Sequence, residues 1–450
     1  MTSDEVVISP YGFVDKSRTI QKLSELCAEK DGIQTGPFGS QLHSSDYVDD
    51  GTPIITVEHL GENIIEGKNP PLVHIDDVTR LIKYTLKEGD IVFSRVGSVD
   101  RRALVRGEQN GWMFSGRLLR VRPKPELVDP TYLSYFFGLP MFKTYIRSIA
   151  VGATMPSLNT SLLSDLPIIL PEISEQIAIG RTLSSLDEKI RINSELSKTL
   201  ENIAQTIFKS WFIDFDPVRA KMAGEKPAGM DDATAALFPD SMEESELGFI
   251  PKGWEIRKIE SLCETLLGGT PSRTRDEFWG GEIPWINSGK VNDFRITAAS
   301  EYITEIGLEK SATKLLPRGT TVLAITGATL GQFSRLEIDS CANQSVVGIV
   351  ASAEASNEFI YFNIKNGIQR LISAQTGGAQ QHINKEDVNA FFIIYPGKKL
   401  MDAFTDVVGS MFDEIGVLLN QSISLATIRD SLLPRLISGE LEIPEDMLVS

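Results

Sequence analysis

The chain repeats itself at a shift of 225 residues, half of its 450. This constrains the fold more than any other feature, because whatever the first half builds the second half must build again. Val151-Gly-Ala-Thr-Met-Pro-Ser-Leu-Asn159 aligns with Thr376-Gly-Gly-Ala-Gln-Gln-His-Ile-Asn384, and LPIILP (Leu166 to Pro171) with FFIIYP (Phe391 to Pro396). A long helical pattern follows in both copies. Leu183, Leu186, Ile190, Leu200, Ile203 and Ile207 are apolar, and 225 residues on stand Val408, Met411, Ile415, Leu425, Ile428 and Leu432. Steps of three, four and ten keep one helix face turned the same way, so these twelve are the expected interface of a helix pair. Weaker matches precede the helices: Leu23-Ser-Glu-Leu-Cys27 with Ile259-Glu-Ser-Leu-Cys263, Pro53-Ile-Ile with Pro284-Trp-Ile, and Gly89-Asp-Ile-Val-Phe with Gly319-Thr-Thr-Val-Leu. Their shifts are 236, 231 and 230, so the copies have gained and lost loop residues.

The expected fold is α+β: two mixed modules, each followed by a long helix. The segments are a first module (1–170), a first long helix (171–212), an acidic connector (213–250), a second module (251–395), a second long helix (396–438) and a tail (439–450). Short β-type runs such as Asp90-Ile-Val-Phe-Ser94 and Val322-Leu-Ala-Ile-Thr326 mark the modules. The helical pattern itself runs from about Ser174, a plausible N-cap, to Trp211, and from about Lys399 to Leu433, with Pro434 and Gly439 ending it. The connector is read as a linker or an ordered extended segment, rich in Asp and Glu. The apolar stripe has the width of a coiled-coil seam, so the two helices are expected to pair antiparallel within one chain, each roughly 50–55 Å long. Asn193 lies in that stripe at the position matching Leu418. It is either a register-fixing polar seam residue or a surface Asn where the stripe drifts.

Composition narrows the class. Apolar residues make up 42% and charged residues 23%, ordinary values for globular domains. The net charge of −17 argues against a uniformly basic surface but not against a local basic patch. Three cysteines (Cys27, Cys263, Cys341) make no disulfide framework, and four histidines show no zinc spacing, so no metal site is expected. The acidic start and short apolar runs read as a soluble, cytoplasmic chain.

The search for chemistry is mostly negative. There is no Walker A loop, GxGxxG after a strand, GxSxG, HExxH or kinase signature, and no catalytic residue is expected. Asn69-Pro-Pro-Leu72 resembles the motif of adenine-amino methyltransferases, but Leu72 replaces the aromatic residue that stacks on a flipped base, and a turn is the better reading. Asp214 and Asp216 lack companions for a metal site and are read as part of a polar turn before Pro217. The positive signal is basic. Between Arg95 and Lys124, eight cationic residues face Asp100 and Glu108 alone, a local excess of six. Arginine binds phosphate and reads guanine with two parallel donors. In the second half Arg273, Arg275, Lys290 and Arg295 share segments with Thr270, Ser272, Asn287 and Ser288, a mixture suited to base-edge reading.

Taken together, two variable modules each followed by a matched long helix resemble the specificity subunits of type I restriction–modification enzymes. The similarity rests on Thr35-Gly-Pro-Phe-Gly-Ser-Gln-Leu-His43, Gly268-Gly-Thr-Pro-Ser272 with Gly281-Glu-Ile-Pro-Trp285, and Pro167-Ile-Ile-Leu-Pro-Glu-Ile-Ser-Glu-Gln-Ile177 leading into Leu186-Asp-Glu-Lys-Ile190. Trp211-Phe-Ile-Asp-Phe-Asp-Pro217 and Leu432-Leu-Pro-Arg-Leu-Ile-Ser-Gly-Glu-Leu441 add to it. The resemblance covers nearly the whole chain. It implies that each module is a target recognition domain for one half of a bipartite DNA site and that the helix pair is a ruler for the spacer. It implies as partners double-stranded DNA, two methyltransferase subunits and two restriction/translocase subunits. The chain itself would need no cofactor, with S-adenosylmethionine, ATP and Mg bound by those partners. Candidate DNA contacts, taken from presumed loops, are Thr35, Phe38, Ser40, Gln41, Arg95, Ser98, Arg101, Arg102, Arg106, Arg117, Thr154 and Asn159 in the first module. In the second they are Thr270, Ser272, Arg273, Arg275, Asn287, Lys290, Arg295, Thr326, Thr329, Gln344, Gln380 and Gln381. The rival readings are a protein–protein scaffold with a coiled-coil core and an unrecorded nuclease.

Overall fold

The computed structural model of the chain describes residues 6–66, 69–152, 154–373 and 382–448. It divides into two compact units, Met1–Arg191 with Ile423–Ser450, and Ile192–Ser422.

The first unit holds two four-stranded sheets. One has the order Ile33–Thr35, Leu118–Val121, Ile91–Ser94, Arg102–Leu104, every pair antiparallel. In the other, Met113–Phe114 runs parallel to Thr52–Ile55, followed by Leu72–Val73 and Tyr47–Val48. The second unit repeats this plan. Cys263–Leu267, Val346–Ala351, Thr321–Ala324 and Phe333–Arg335 form the antiparallel sheet, and Cys341–Ala342 runs parallel to Trp279–Ile286, which Glu301–Ile303 flanks. Ile91–Ser94 and Thr321–Ala324 are buried at every position, which is why they read as unbroken apolar runs rather than alternating ones. The strand before each long helix closes the unit: Pro167–Leu170 pairs with Thr19–Lys22, and Phe392–Tyr395 with Glu255–Lys258.

The duplication reaches further than the sequence reading found. A hairpin of Val6–Ser9 and Gly12–Asp15 opens the first copy, and one of Met242–Ser245 and Gly248–Pro251 opens the second. In both, the serine hydroxyl donates to the carbonyl of a positive-φ glycine, Ser9 to Gly12 at 2.8 Å and Ser245 to Gly248 at 2.6 Å. The next residue is an exposed phenylalanine, Phe13 or Phe249. Residues 213–250 are therefore no extended linker. They contain the helices Asp216–Met222 and Asp232–Ala236 as well as this hairpin, and Phe215, Val218 and Phe238 are buried in the core of the second unit. Lys221 Nζ donates to the carbonyls of Ala235 and Phe238, which ties the short helices together.

The first long helix is Ile173–Phe212, 40 residues, and the second Lys398–Ser438, 41 residues. Ser174 thus lies inside the first turn and is not the cap. Pro434 sits within the second helix, which ends before Gly439; burial of Leu433, Leu436 and Ile437 around the proline offsets the lost backbone bond. In the first unit Asp187 Oδ1 accepts from Arg429, while Arg18 binds Glu175 at 2.6 Å and reaches the carbonyl of Leu436. In the second unit Asn193 donates to Gln421 Oε1 at 2.8 Å, and the Phe208 ring meets that of Phe404. Within each unit the two helical segments consequently run in opposite directions.

The helix faces differ from the expected stripe. Leu183, Val408 and Ile415 are buried, and Leu186, Ile190, Leu200, Ile207, Met411, Leu425 and Leu432 are half-buried, but Ile203 is 44% and Ile428 47% exposed. On the first helix the inward positions in the second unit are Asn193, Ser197, Glu201, Ala204 and Phe208, mostly polar or small, so apolar periodicity alone does not mark the whole inward face. Asn193 is buried at 1% exposure, so it faces the second helix and not solvent. The tail also has a structure. Ile443 is buried and Leu441 packs against the core of the first unit, while Glu440, Glu442, Glu445 and Asp446 face solvent.

Candidate nucleic-acid interface

The basic cluster of the first unit separates into internal and outward-facing arginines. Arg120 is wholly buried and donates to the carbonyls of Lys83, Thr85 and Asp31; burial lowers its pKa to about 10, so it stays charged at neutral pH. Arg122 binds Asp90 at 2.7 Å through two donors. Arg102, taken from sequence as a DNA contact, has its side chain 3% exposed; it pairs with Glu62 and donates to the Ser134 carbonyl at 3.0 Å. It points inward because it lies on the buried strand Arg102–Leu104. Burial opposes the charge of Glu62, yet Arg102 and Lys143 hold its carboxyl below the usual range. Arg101 donates to the Leu60 carbonyl, and Arg106 is half-buried in a cleft against the first long helix. Gln41 accepts from Tyr84 Oη at 2.9 Å, and Thr35 is half-buried in the edge strand.

What remains outward in the first unit is compact. Arg95 donates to the Gly116 carbonyl at 3.0 Å and lies 5.9 Å from the centre of the Phe38 ring, which is 59% exposed. Phe38, Thr56, His59, Ser115 and Arg117 share a cleft of about 600 Å³. Arg117 is exposed and, among the described residues, makes no side-chain hydrogen bond or ion pair. Ser115 Oγ is buried and has no hydrogen-bond partner among the described residues. Ser98 and Thr154 are exposed on nearby loops, and the exposed Asn159 caps the helix Thr160–Ser164 through its carboxamide oxygen. The backbone of Ser40 lies in the short turn Gly39–Gln41.

In the second unit each predicted cation has an acidic partner. Arg295 is buried, 2.6 Å from Glu201 on the first long helix, and its guanidinium lies over the rings of Tyr361 and Phe412. It is a structural anchor, not a DNA contact. Glu201 also accepts from Lys365 at 2.6 Å and Tyr361 at 3.1 Å, which fixes the module on its helix. Arg273 makes a bidentate pair with Glu301 at 2.6 and 2.7 Å and stacks 3.6 Å from the Trp279 ring centre. Those hydrogen bonds hold the Glu301 carboxyl below its usual range. Arg275 pairs with Glu277, and Lys290 with Asp293 at 2.7 Å. The exposed pairs are worth about 0–1 kcal/mol each, so a phosphate can displace the carboxylate. Thr270 donates to Gln344 Oε1 at 2.5 Å, both exposed; Asn287 caps the turn Ser288–Asn292; Ser272 is exposed; Thr326 and Thr329 are half-buried at a second turn. Gln380 and Gln381 lie outside the described residues. The sequence reading did not single out Trp279, Glu301, Asn343 and Ser345, which pair with or adjoin these residues; a tryptophan carries no loop signal and the others are single polar residues.

No group of three or more His, Cys, Asp or Glu suited to a metal ion occurs among the described residues. Asp214 pairs with Lys209, and burial pushes the thiols of Cys27 and Cys263 up to about 12. No helix among the described residues is long and apolar enough to cross a membrane.

The architecture is that of a protein built from two copies of one mixed module, each anchored by buried ion pairs to a long helix and presenting polar loops of different composition. The family described as type I restriction modification DNA specificity domain matches residues 33–202 and 251–406. The chain belongs to this family. It is similar to the type I restriction enzyme HindI specificity subunit of Haemophilus influenzae, 28% identical over 416 residues, covering 82% of this chain and 90% of that one. It is also similar to the MjaIX specificity subunit of Methanocaldococcus jannaschii, at 26% identity over 72% of this chain and 71% of that one. Among solved structures, the type I restriction–modification S subunit from M. genitalium matches its fold with a TM-score of 0.53 at 14% identity, over 93% of this chain and 96% of that chain.

Proposed function

We propose that the chain is the DNA-recognition subunit of a type I restriction–modification complex and catalyses no reaction itself. Each unit reads one half of a bipartite site. The observation that carries this reading is the match of the specificity family to both halves of the chain, together with a sheet plan that both units share, one strand fewer in the second, and outward loops that differ. Because the loops differ, the two half-sites differ in sequence. The long helices form an antiparallel coiled-coil pair about a pseudo-twofold axis, and their length sets the unread spacer. Each helix continues unbroken from one unit into the other, which supports that role.

The partners follow from the same reading: double-stranded DNA, two methyltransferase subunits and two restriction/translocase subunits, acting in the cytoplasm. The methyl donor S-adenosylmethionine, ATP and Mg are bound by those subunits. The test is sequencing of methylated adenines in cells carrying this chain with its modification subunit. A single bipartite, asymmetric motif is expected; a palindromic motif, or none, overturns the proposal. The purified complex should bind DNA with an affinity that falls steeply with salt, and the isolated chain with Mg²⁺ should not cleave it.

A further inference from the structure

The two units share one loop framework, bond for bond. In the first, backbone N–H groups of Gly36, Arg95, Ser115, Leu118 and Leu158 donate to the carbonyls of Leu118, Arg117, Ile55, Ser115 and Arg95, at 2.9 to 3.2 Å. In the second, those of Gly268, Ile325, Asn343, Val346 and Ile383 donate to Val346, Ser345, Ile286, Asn343 and Ile325, at 2.9 to 3.1 Å. The matching glycines have the same cause. A Cβ on Gly36 would stand 2.2 Å from the Ser115 carbonyl oxygen, and one on Gly268 2.1 Å from that of Asn343. Only glycine lets the two backbones approach so closely.

The inward side chains of this framework keep their apolar character. Ile55 and Ile286 are both buried, as are Phe114 and Ala342, Leu118 and Val346, and Leu158 and Ile383. The side chains that face outward change in kind. Phe38 stands where the second unit has Thr270, Gly116 where it has Gln344, and Arg117 where it has Ser345. The first loop therefore presents, beside an exposed ring, a guanidinium that has no side-chain hydrogen bond or ion pair among the described residues. The second presents an amide held by a threonine hydroxyl. A repeated scaffold with exchanged outward groups is what two readers need when they dock alike but select different bases.

We infer that Ser115–Arg117 with Phe38, and Asn343–Ser345 with Thr270, are the base-reading loops, Arg117 selecting a guanine in one half-site and Gln344 an adenine in the other. The inference rests on the DNA-recognition reading above. Its chemistry is the fit of a guanidinium to the O6 and N7 acceptors of guanine, and of a carboxamide to the N6 donor and N7 acceptor of adenine, in the major groove. Arg101, Arg102 and Arg120 are engaged with protein carbonyls or carboxylates.

The experiment uses the full chain with its modification subunit and sequences methylated adenines for Arg117→Ala, Arg117→Lys and Gln344→Ala. Arg117→Ala and Arg117→Lys are each expected to relax one guanine position in one half-site by roughly tenfold or more, leaving the other half-site unchanged. Gln344→Ala is expected to relax one adenine position in the other half-site only. The untouched half-site serves as an internal control for folding. Unchanged motifs at full methylation, or relaxation of a base other than the one named, overturn the inference while leaving the recognition role standing. A wild-type chain that directs no sequence-dependent methylation overturns the recognition role instead.

Discussion

Arg102 and Arg117 belong to one basic cluster in the sequence and have opposite fates in the structure. Arg102 is enclosed, and its removal leaves the Ser134 carbonyl without this donor and Glu62 with Lys143. Arg102→Ala is expected to destabilise the chain by about 1–3 kcal/mol, whereas Arg117→Ala should stay within about 0.5 kcal/mol, as read by denaturant melts. Equal effects would contradict the separation into internal and outward arginines. Glu62 adds a pH dependence. Its carboxyl is held below the ordinary value of 4.5, so its contribution to stability is fully present above that pH and is lost as pH falls through the lowered value. The melting-temperature gap between the wild type and Glu62→Gln is expected to be constant near neutrality and to close in acid. A gap that widens in acid would reverse the sign of the interaction. The basic cluster was legible in the sequence, but its direction was not, because period-two exposure cannot be read for a strand buried on both faces.

The long helices show the same limit at the level of the element. Their existence was legible in a stripe repeated after 225 residues. The inward face was legible only in part, since Ser197 and Glu201 are polar and Ala204 is small, while the apolar Ile203 points outward. Ile203→Lys is expected to change stability by less than about 0.5 kcal/mol, and Ala204→Leu to cost about 1–3 kcal/mol by overpacking against the aromatic core around Phe208. Thermal melting of the two variants checks this; the reverse order would restore the face predicted from hydrophobicity. Glu201 belongs inward because Arg295, Lys365 and Tyr361 surround it, and partners so distant in sequence leave no local trace.

For the whole molecule, the repeat predicts that geometry and sequence selection are separable. Adding whole turns to both long helices is expected to lengthen the spacer of the methylated motif and leave both half-sites as they were; motif sequencing of the variants decides it, and an unchanged spacer refutes the ruler. The sequence by itself determined the duplication, the α+β character, the two long helices and the family. Each is written in local periodicity or in residues repeated along the chain. The tertiary structure alone decided which arginines are anchors and which are free, that residues 213–250 pack on the second unit, and that two loops of unlike sequence share one hydrogen-bonded frame. These depend on which backbone and side-chain groups meet across tens to hundreds of residues, and burial, more than residue type, sets whether a charge serves the core or the surface.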